Sequence, residues 1–165
     1  MRPILLLALP FVLLAPALQA QAPAAHAHAT APPSPSPFSV PLDETTRARL
    51  TRHPVQTRIH DTPLHCEGVS LLALLPAAGA MPESPLRGPD LARYVLIDAR
   101  DGARAIFSLG ELDPSLGATA AYLVDRCEGA PLTAENGPLR LLVPDDSRGA
   151  RSLRQVDSIT VVAAP

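Results

Sequence analysis

The stretch Tyr94–Ala99 (YVLIDA), Arg100-Asp101-Gly102 and Ala103–Phe107 (ARAIF) decides the fold class. Two apolar, strand-favouring runs flank Asp101-Gly102, and its glycine supplies the positive φ that a tight hairpin turn needs. Immediately downstream, Ser108-Leu109-Gly110-Glu111 has the spacing of a capping box. It predicts one helical turn before Asp113-Pro114. Upstream, Val55–His60 (VQTRIH) alternates apolar and polar residues and reads as a half-buried strand. Asp61-Thr62-Pro63 carries turn chemistry, and Leu64–Cys66 returns as a second strand. Ser70 stands at the cap of a helix over Leu71–Ala78 that buries Leu71, Leu72, Leu74 and Leu75. Pro76 shortens that helix, Gly79 ends it, and a loop follows over Ala80–Pro89. Asp43–Leu50 predicts a shorter helix, with acids first, arginine last, and Pro54 closing the segment. Beyond the hairpin, Thr119–Arg126, Leu139–Val143 and Val156–Val162 read as strands, with a turn at Glu128-Gly129 and a charged loop over Asp145–Arg151. Six or seven strands and two or three short helices, without regular βαβ alternation, imply a mixed, mainly β, α+β domain.

The chain has 165 residues, and its 14 basic residues, all arginine, stand against 16 acids, for a net charge of -2. A slightly acidic chain without a basic run is a poor nucleic-acid or anionic-membrane binder, and neither partner is expected. The first 20 residues read as an export signal: Arg2, then an apolar run of 11 residues over Ile4–Leu14. A membrane span takes about 20 residues, so this run fits a signal peptide and not an anchor. Residues 21–37 (QAPAAHAHATAPPSPSP) form an Ala/Pro/Ser-rich tether with nothing to bury. The domain is therefore expected over 38–165, periplasmic or secreted, with no membrane contact after signal cleavage. Cys66 and Cys127 each sit in Cys-Glu-Gly, which suggests a turn after each. In an exported chain they either close a disulfide loop or remain two free thiols, and both states stay open.

Nucleophile and phosphate-loop motifs are absent, so no catalytic residue is assigned. His26-Ala27-His28 falls in the tether and reads as composition. His60, His65 and Cys66 offer three donors, but strand alternation points His65 and Cys66 to opposite faces, and no metal site is assigned. Arg148-Gly-Ala-Arg151-Ser-Leu-Arg154 is more informative. Arg148, Arg151 and Arg154 follow a proline-ended strand that carries Arg140, and Gly149 lets backbone approach a ligand closely. Such guanidiniums fork onto an oxyanion. The adjacent Asp145, Asp146 and Asp157 offer the competing reading of a self-neutralised surface.

Six segments then occur in a familiar order: Gly68–Gly79 (GVSLLALLPAAG), Gly88–Gly102 (GPDLARYVLIDARDG), Phe107–Asp113 (FSLGELD), Gly129–Leu132 (GAPL), Gly137–Pro144 (GPLRLLVP) and Gly149–Arg154 (GARSLR). Together they resemble the oxidoreductase molybdopterin-binding domain of the sulfite oxidase type, in small, exported, stand-alone form. The resemblance implies a mixed α+β fold and, in the full-length enzymes, a molybdenum-molybdopterin cofactor held by one Cys thiolate for redox chemistry at sulfur. By position, Gly149-Ala150-Arg151 looks like the stretch that lies against the pterin. Arg154 stands where the larger enzymes carry a pterin-contacting Lys, and Gln155 replaces the Trp that follows it. The enzymes' metal-binding Cys belongs upstream of Gly68–Gly79, where this chain has no matching motif. The resemblance therefore implies a binding or accessory module taking a small anionic or pterin-like ligand at Arg148, Gly149, Arg151 and Arg154, or meeting a periplasmic protein partner. Two alternatives accompany it: a small molybdenum oxidoreductase using Cys66 as an unconventional thiolate, and a ligand-free structural or interaction domain.

Overall fold

The computed structural model describes residues 35–83 and 85–165. The export signal expected over 1–20, and the tether up to residue 34 with its His26-Ala27-His28 pair, lie outside the described residues. Nine strands, three short α-helices and two 3-10 turns form the described chain, in agreement with a mainly β, α+β domain. Among the described residues no helix is long and apolar enough to cross a membrane.

The hairpin at Asp101-Gly102 forms between β4 (Arg93–Ala99) and β5 (Arg104–Ser108), with Gly102 at φ +84. On the other side of β4 lies β9 (Val156–Ala163), which in turn pairs with β1 (Phe38–Ser39). This antiparallel sheet has the order β1-β9-β4-β5. The second sheet has the order β2-β3-β6-β7, from β2 (Arg52–Ile59), β3 (Thr62–Ser70), β6 (Tyr122–Cys127) and β7 (Ala130–Pro131). β8 (Arg140–Leu142) pairs with the first half of β6.

One large core lies between these layers. Val95, Ile97, Phe107, Ile159 and Val161 come from the first sheet, and Val69, Leu123 and Leu141 from the second. Helix α2 (Leu71–Ala77) adds Leu71, Leu74 and Leu75, and α3 (Leu109–Leu112) adds Leu109 and Leu112. Leu72, expected inside, is only partly buried. Ser70 occupies the cap of α2 without a side-chain cap bond; the Leu71 amide is satisfied instead by the Ala121 carbonyl at 2.8 Å. At α3 the expected cap forms, with Ser108 accepting from the Glu111 amide; at α1 (Glu44–Ala48) Asp43, expected as the first residue of the helix, caps it instead by accepting from the Thr46 amide.

Three turn assignments shift. β2 continues through Pro54, which was expected to close the preceding segment. This strand is a sheet edge, where the missing proline N–H costs no ladder bond. The β2–β3 turn is His60-Asp61 alone, with φ of +48 and +63, so Thr62 and Pro63 already belong to β3. Both turn residues adopt the left-handed conformation that a two-residue hairpin loop demands. Glu128-Gly129 forms the same kind of loop between β6 and β7. Glu67-Gly68, by contrast, is no turn but a β-bulge within β3. A Cβ on Gly68 would collide with the Leu123 carbonyl and stand 2.5 Å from Val124 Cα, so strand-to-strand contact needs glycine here.

Register places Cys66 opposite Cys127, and the two form a disulfide. It sits in a smaller apolar cluster with Val55, Val124 and Leu142, edged by Ile59, Leu64 and Tyr122. The alternative of free thiols is thereby overturned. With a sequence separation of 61 between the cysteines, replacing both by alanine is expected to cost about 2–5 kcal/mol in urea unfolding. Gly68→Ala is expected to cost about 1–3 kcal/mol by the same measurement. An unchanged urea midpoint for Gly68→Ala would contradict the packing described at the bulge.

Candidate functional site

The loop after β8 is fastened by Arg151. Its Nε donates to Asp146 Oδ2 at 2.9 Å, Nη2 to Asp146 Oδ1 at 2.6 Å, and Nη1 to Glu111 Oε1 at 2.7 Å. The guanidinium carbon also stands 4.5 Å from the centroid of the buried Phe107 ring. A bidentate fork on one carboxylate, a second carboxylate and an aromatic face together hold this cation firmly. The Arg151 guanidinium is pushed up in pKa, first by its bonds to Asp146 and then by those to Glu111, and Asp146 is held below the usual aspartate range by Arg151. Glu111 therefore does not complete the capping box suggested by its spacing; its carboxylate crosses to the loop.

Gly149 has a use other than the one its flexibility suggested. A Cβ there would stand 3.3 Å from Ile59 Cγ2, so the 3-10 turn Gly149–Arg151 packs its backbone against the end of β2. That contact brings Ser147, Arg148, Gly149 and Ala150 beside Arg58, His60 and Asp61 around a cavity of 630 Å³. Arg58 Nη2 donates to the Asp61 carbonyl at 2.8 Å, which steadies it at the turn. Among the described residues, neither Arg58 nor Arg148 joins the ion pairs that occupy Arg47, Arg52, Arg93, Arg100, Arg104, Arg151 and Arg154. Asp61 is the one acid on the cavity wall, facing two guanidiniums and an imidazole.

Arg154 lies elsewhere. The Leu141 amide donates to the Leu153 carbonyl at 2.8 Å, and the Val156 amide donates to the Leu139 carbonyl at 2.9 Å. Arg154 is thus set beside Arg140 on β8, and its Nη1 reaches Glu135 Oε1 at 3.1 Å. Arg140 is only 8% exposed. The three arginines singled out in the sequence accordingly do not meet around one hollow. Arg148 and Gly149 border the cavity, Arg151 is a clamp, and Arg154 belongs with Arg140. Arg58, which sequence reasoning passed over, joins Arg148 because the two-residue turn doubles β2 back at that point. Its position on the polar face of an alternating strand, two residues before His60, was the only trace of it.

Cys66 and His65 do face opposite sides: the thiol position is 3% exposed and His65 is open to solvent. The disulfide borders a separate hollow with Gln56, His65, Arg126 and Glu128, away from Arg148, Arg151 and Arg154. Both sulfurs are bonded to one another, so Cys66 has no thiolate to offer, and among the described residues no group of three or more His, Cys, Asp or Glu gathers around a metal position. This donor set does not fit a thiolate-held molybdenum centre.

Arg151→Ala is expected to lower stability by about 1–2 kcal/mol at neutral pH, the magnitude of a half-exposed ion-pair network. Because Asp146 is depressed in the folded protein, the stabilisation is complete above about pH 4 and is lost as pH falls through its lowered folded value. Urea unfolding at several pH values should show the gap between wild type and variant closing on acidification. A gap that is constant down to pH 2 would contradict the pairing.

The chain matches no protein-family model and no curated protein. Its functional reading rests on its own residues.

Proposed function

We propose that this protein is an exported anion-binding module with the α+β architecture of the sulfite oxidase-type molybdopterin-binding domain, working without molybdenum redox chemistry. The observation that carries the reading is the cavity of 630 Å³ in which Arg58 and Arg148, both free of carboxylate partners among the described residues, share a wall with His60. Guanidiniums present rigid, coplanar donors that match the oxygens of a carboxylate, sulfate or phosphate, and two of them approach such a group from different sides. The nearby backbone is fixed by the Gly149–Ile59 contact and by the Arg151 clamp, so little ordering is left for the ligand to impose. The volume is large enough for a small anionic organic molecule and not only a bare ion.

The disulfide supports an oxidising compartment, in keeping with the export signal expected at the N-terminus. The same disulfide removes the thiolate that the molybdenum alternative needs. The ordered segments Gly68–Gly79 through Gly149–Arg154 support the architectural part of the reading.

Two measurements test it. Protein from a cofactor-competent host is expected to carry far less than one molybdenum per chain by elemental analysis. Calorimetric titration with phosphate, sulfate and a dicarboxylate is expected to show saturable binding that falls about tenfold or more in Arg58→Ala and Arg148→Ala, since one charge-assisted pair contributes about 1.5–3 kcal/mol. Stoichiometric molybdenum with turnover on sulfite or a sulfoxide would overturn the proposal.

A further inference from the structure

Arg140 presents a problem that the fold does not solve internally. It lies on β8 opposite Val124, and alternation puts it on the same face as Leu142, next to the apolar cluster around the disulfide. It is 8% exposed, its Nε has no hydrogen-bond partner, and among the described residues no carboxylate pairs with it. A cation this deeply set, with its Nε cut off from water and unpartnered, is destabilising unless a counter-charge meets it. The residue beside it, Arg154, carries the same charge. The backbone bonds between Leu141 and Leu153 and between Leu139 and Val156 hold the two arginine positions side by side. Burial first, and the neighbouring Arg154 second, push Arg140 down from the usual arginine pKa. Glu135, the partner of Arg154, is 78% exposed and bonds through a single 3.1 Å contact, so it yields easily to a stronger acceptor.

We infer that Arg140 and Arg154 form a second anion site, separate from the cavity at Arg148, which takes a small tetrahedral oxyanion of the phosphate or sulfate class. The terminal nitrogens of Arg140, whose Nε is buried behind them, supply the inner donors, and Arg154 swings from Glu135 to close the outer side. A cation only 8% exposed favours a compact group: a free ion or the terminal phosphoryl or sulfo group of a larger molecule.

Thermal unfolding of the full chain tests this with sodium phosphate and sodium sulfate, against sodium chloride at matched ionic strength. Sulfate and phosphate stabilise most proteins weakly by exclusion, so Arg140→Met, which keeps the length and removes the charge, sets the baseline. Wild type is expected to show a saturable rise in Tm of about 3 °C or more. Arg140→Met is expected to show only the shallow, unsaturating slope. In chloride alone the methionine variant is expected to be at least as stable as wild type, because an unpaired buried charge has been removed. Arg154→Ala, an exposed change that leaves the fold intact, is expected to raise the half-saturating phosphate concentration about tenfold. Glycerol phosphate distinguishes the sources: stabilisation equal to that of phosphate assigns the site to an end group, and its absence assigns it to the free ion. Parallel curves for wild type and Arg140→Met, or no saturable rise in wild type, would overturn the inference. The readout is tied to Arg140 by its own variant, so failure of the Arg148 cavity to bind an anion leaves the outcome legible.

Discussion

Arg151 holds the loop after β8 in place. Three of its donors reach Asp146 and Glu111, and its flat face lies on Phe107, which is itself packed into the main core. The clamp ties α3, which follows β5, to the loop after β8 and the 3-10 turn that begins at Gly149, 40 residues further along the chain. With Arg151 committed inward, the arginines on either side of it are forced apart. Arg148 goes to the end of the β2–β3 hairpin, and Arg154 goes to the side of β8. A run that looks like one cationic cluster is, in space, a structural pin between two separate positive positions.

A second constraint comes from the paired Cys-Glu-Gly segments. Identical tripeptides have different fates because of what each glycine meets. Gly68 lies where β3 and β6 approach too closely for any side chain, so the strand bulges and runs on. Gly129 adopts φ +76 with open space around it, so the chain turns back. The disulfide ties the two segments across the sheet and closes a satellite core whose other buried side chains are Val55, Val124 and Leu142. The hollow that the disulfide borders is lined by none of the arginines of the 148–154 run. Structure and chemistry are coupled here: the bond that stiffens the sheet also takes both thiols out of metal chemistry.

The local signals in the sequence translate well wherever one short-range rule dominates. Asp101-Gly102, the Ser108 cap, the alternation of Val55–His60 and the opposed faces of His65 and Cys66 all act within a few residues, and all appear in the fold. The errors arise where a distant group overrides a local preference. Pro54 was expected to end a segment, but an edge strand tolerates it. Ser70 has cap chemistry, but Ala121 satisfies the helix first. Gly149 was given to a ligand, but Ile59 occupies its open side. The site was only half legible for the same reason. Arg148 can be named from its loop, whereas its neighbour Arg58 arrives through the hairpin turn, and the commitment of Arg151 depends on Glu111, 40 residues earlier. Buried Arg140 was visible as a cation on a strand, but its lack of a counter-charge is a property of the packed structure alone.

The central claim is that neighbouring arginines hold opposite offices, with Arg151 a fixed clamp and Arg58, Arg148 and Arg140 open to anions. Nitrogen NMR of the arginine Nε–H groups during a phosphate titration observes each office separately. The account predicts saturable shifts for Arg58, Arg148 and Arg140, while the Arg151 signal stays in place. Movement of Arg151 with the other three unchanged would contradict it.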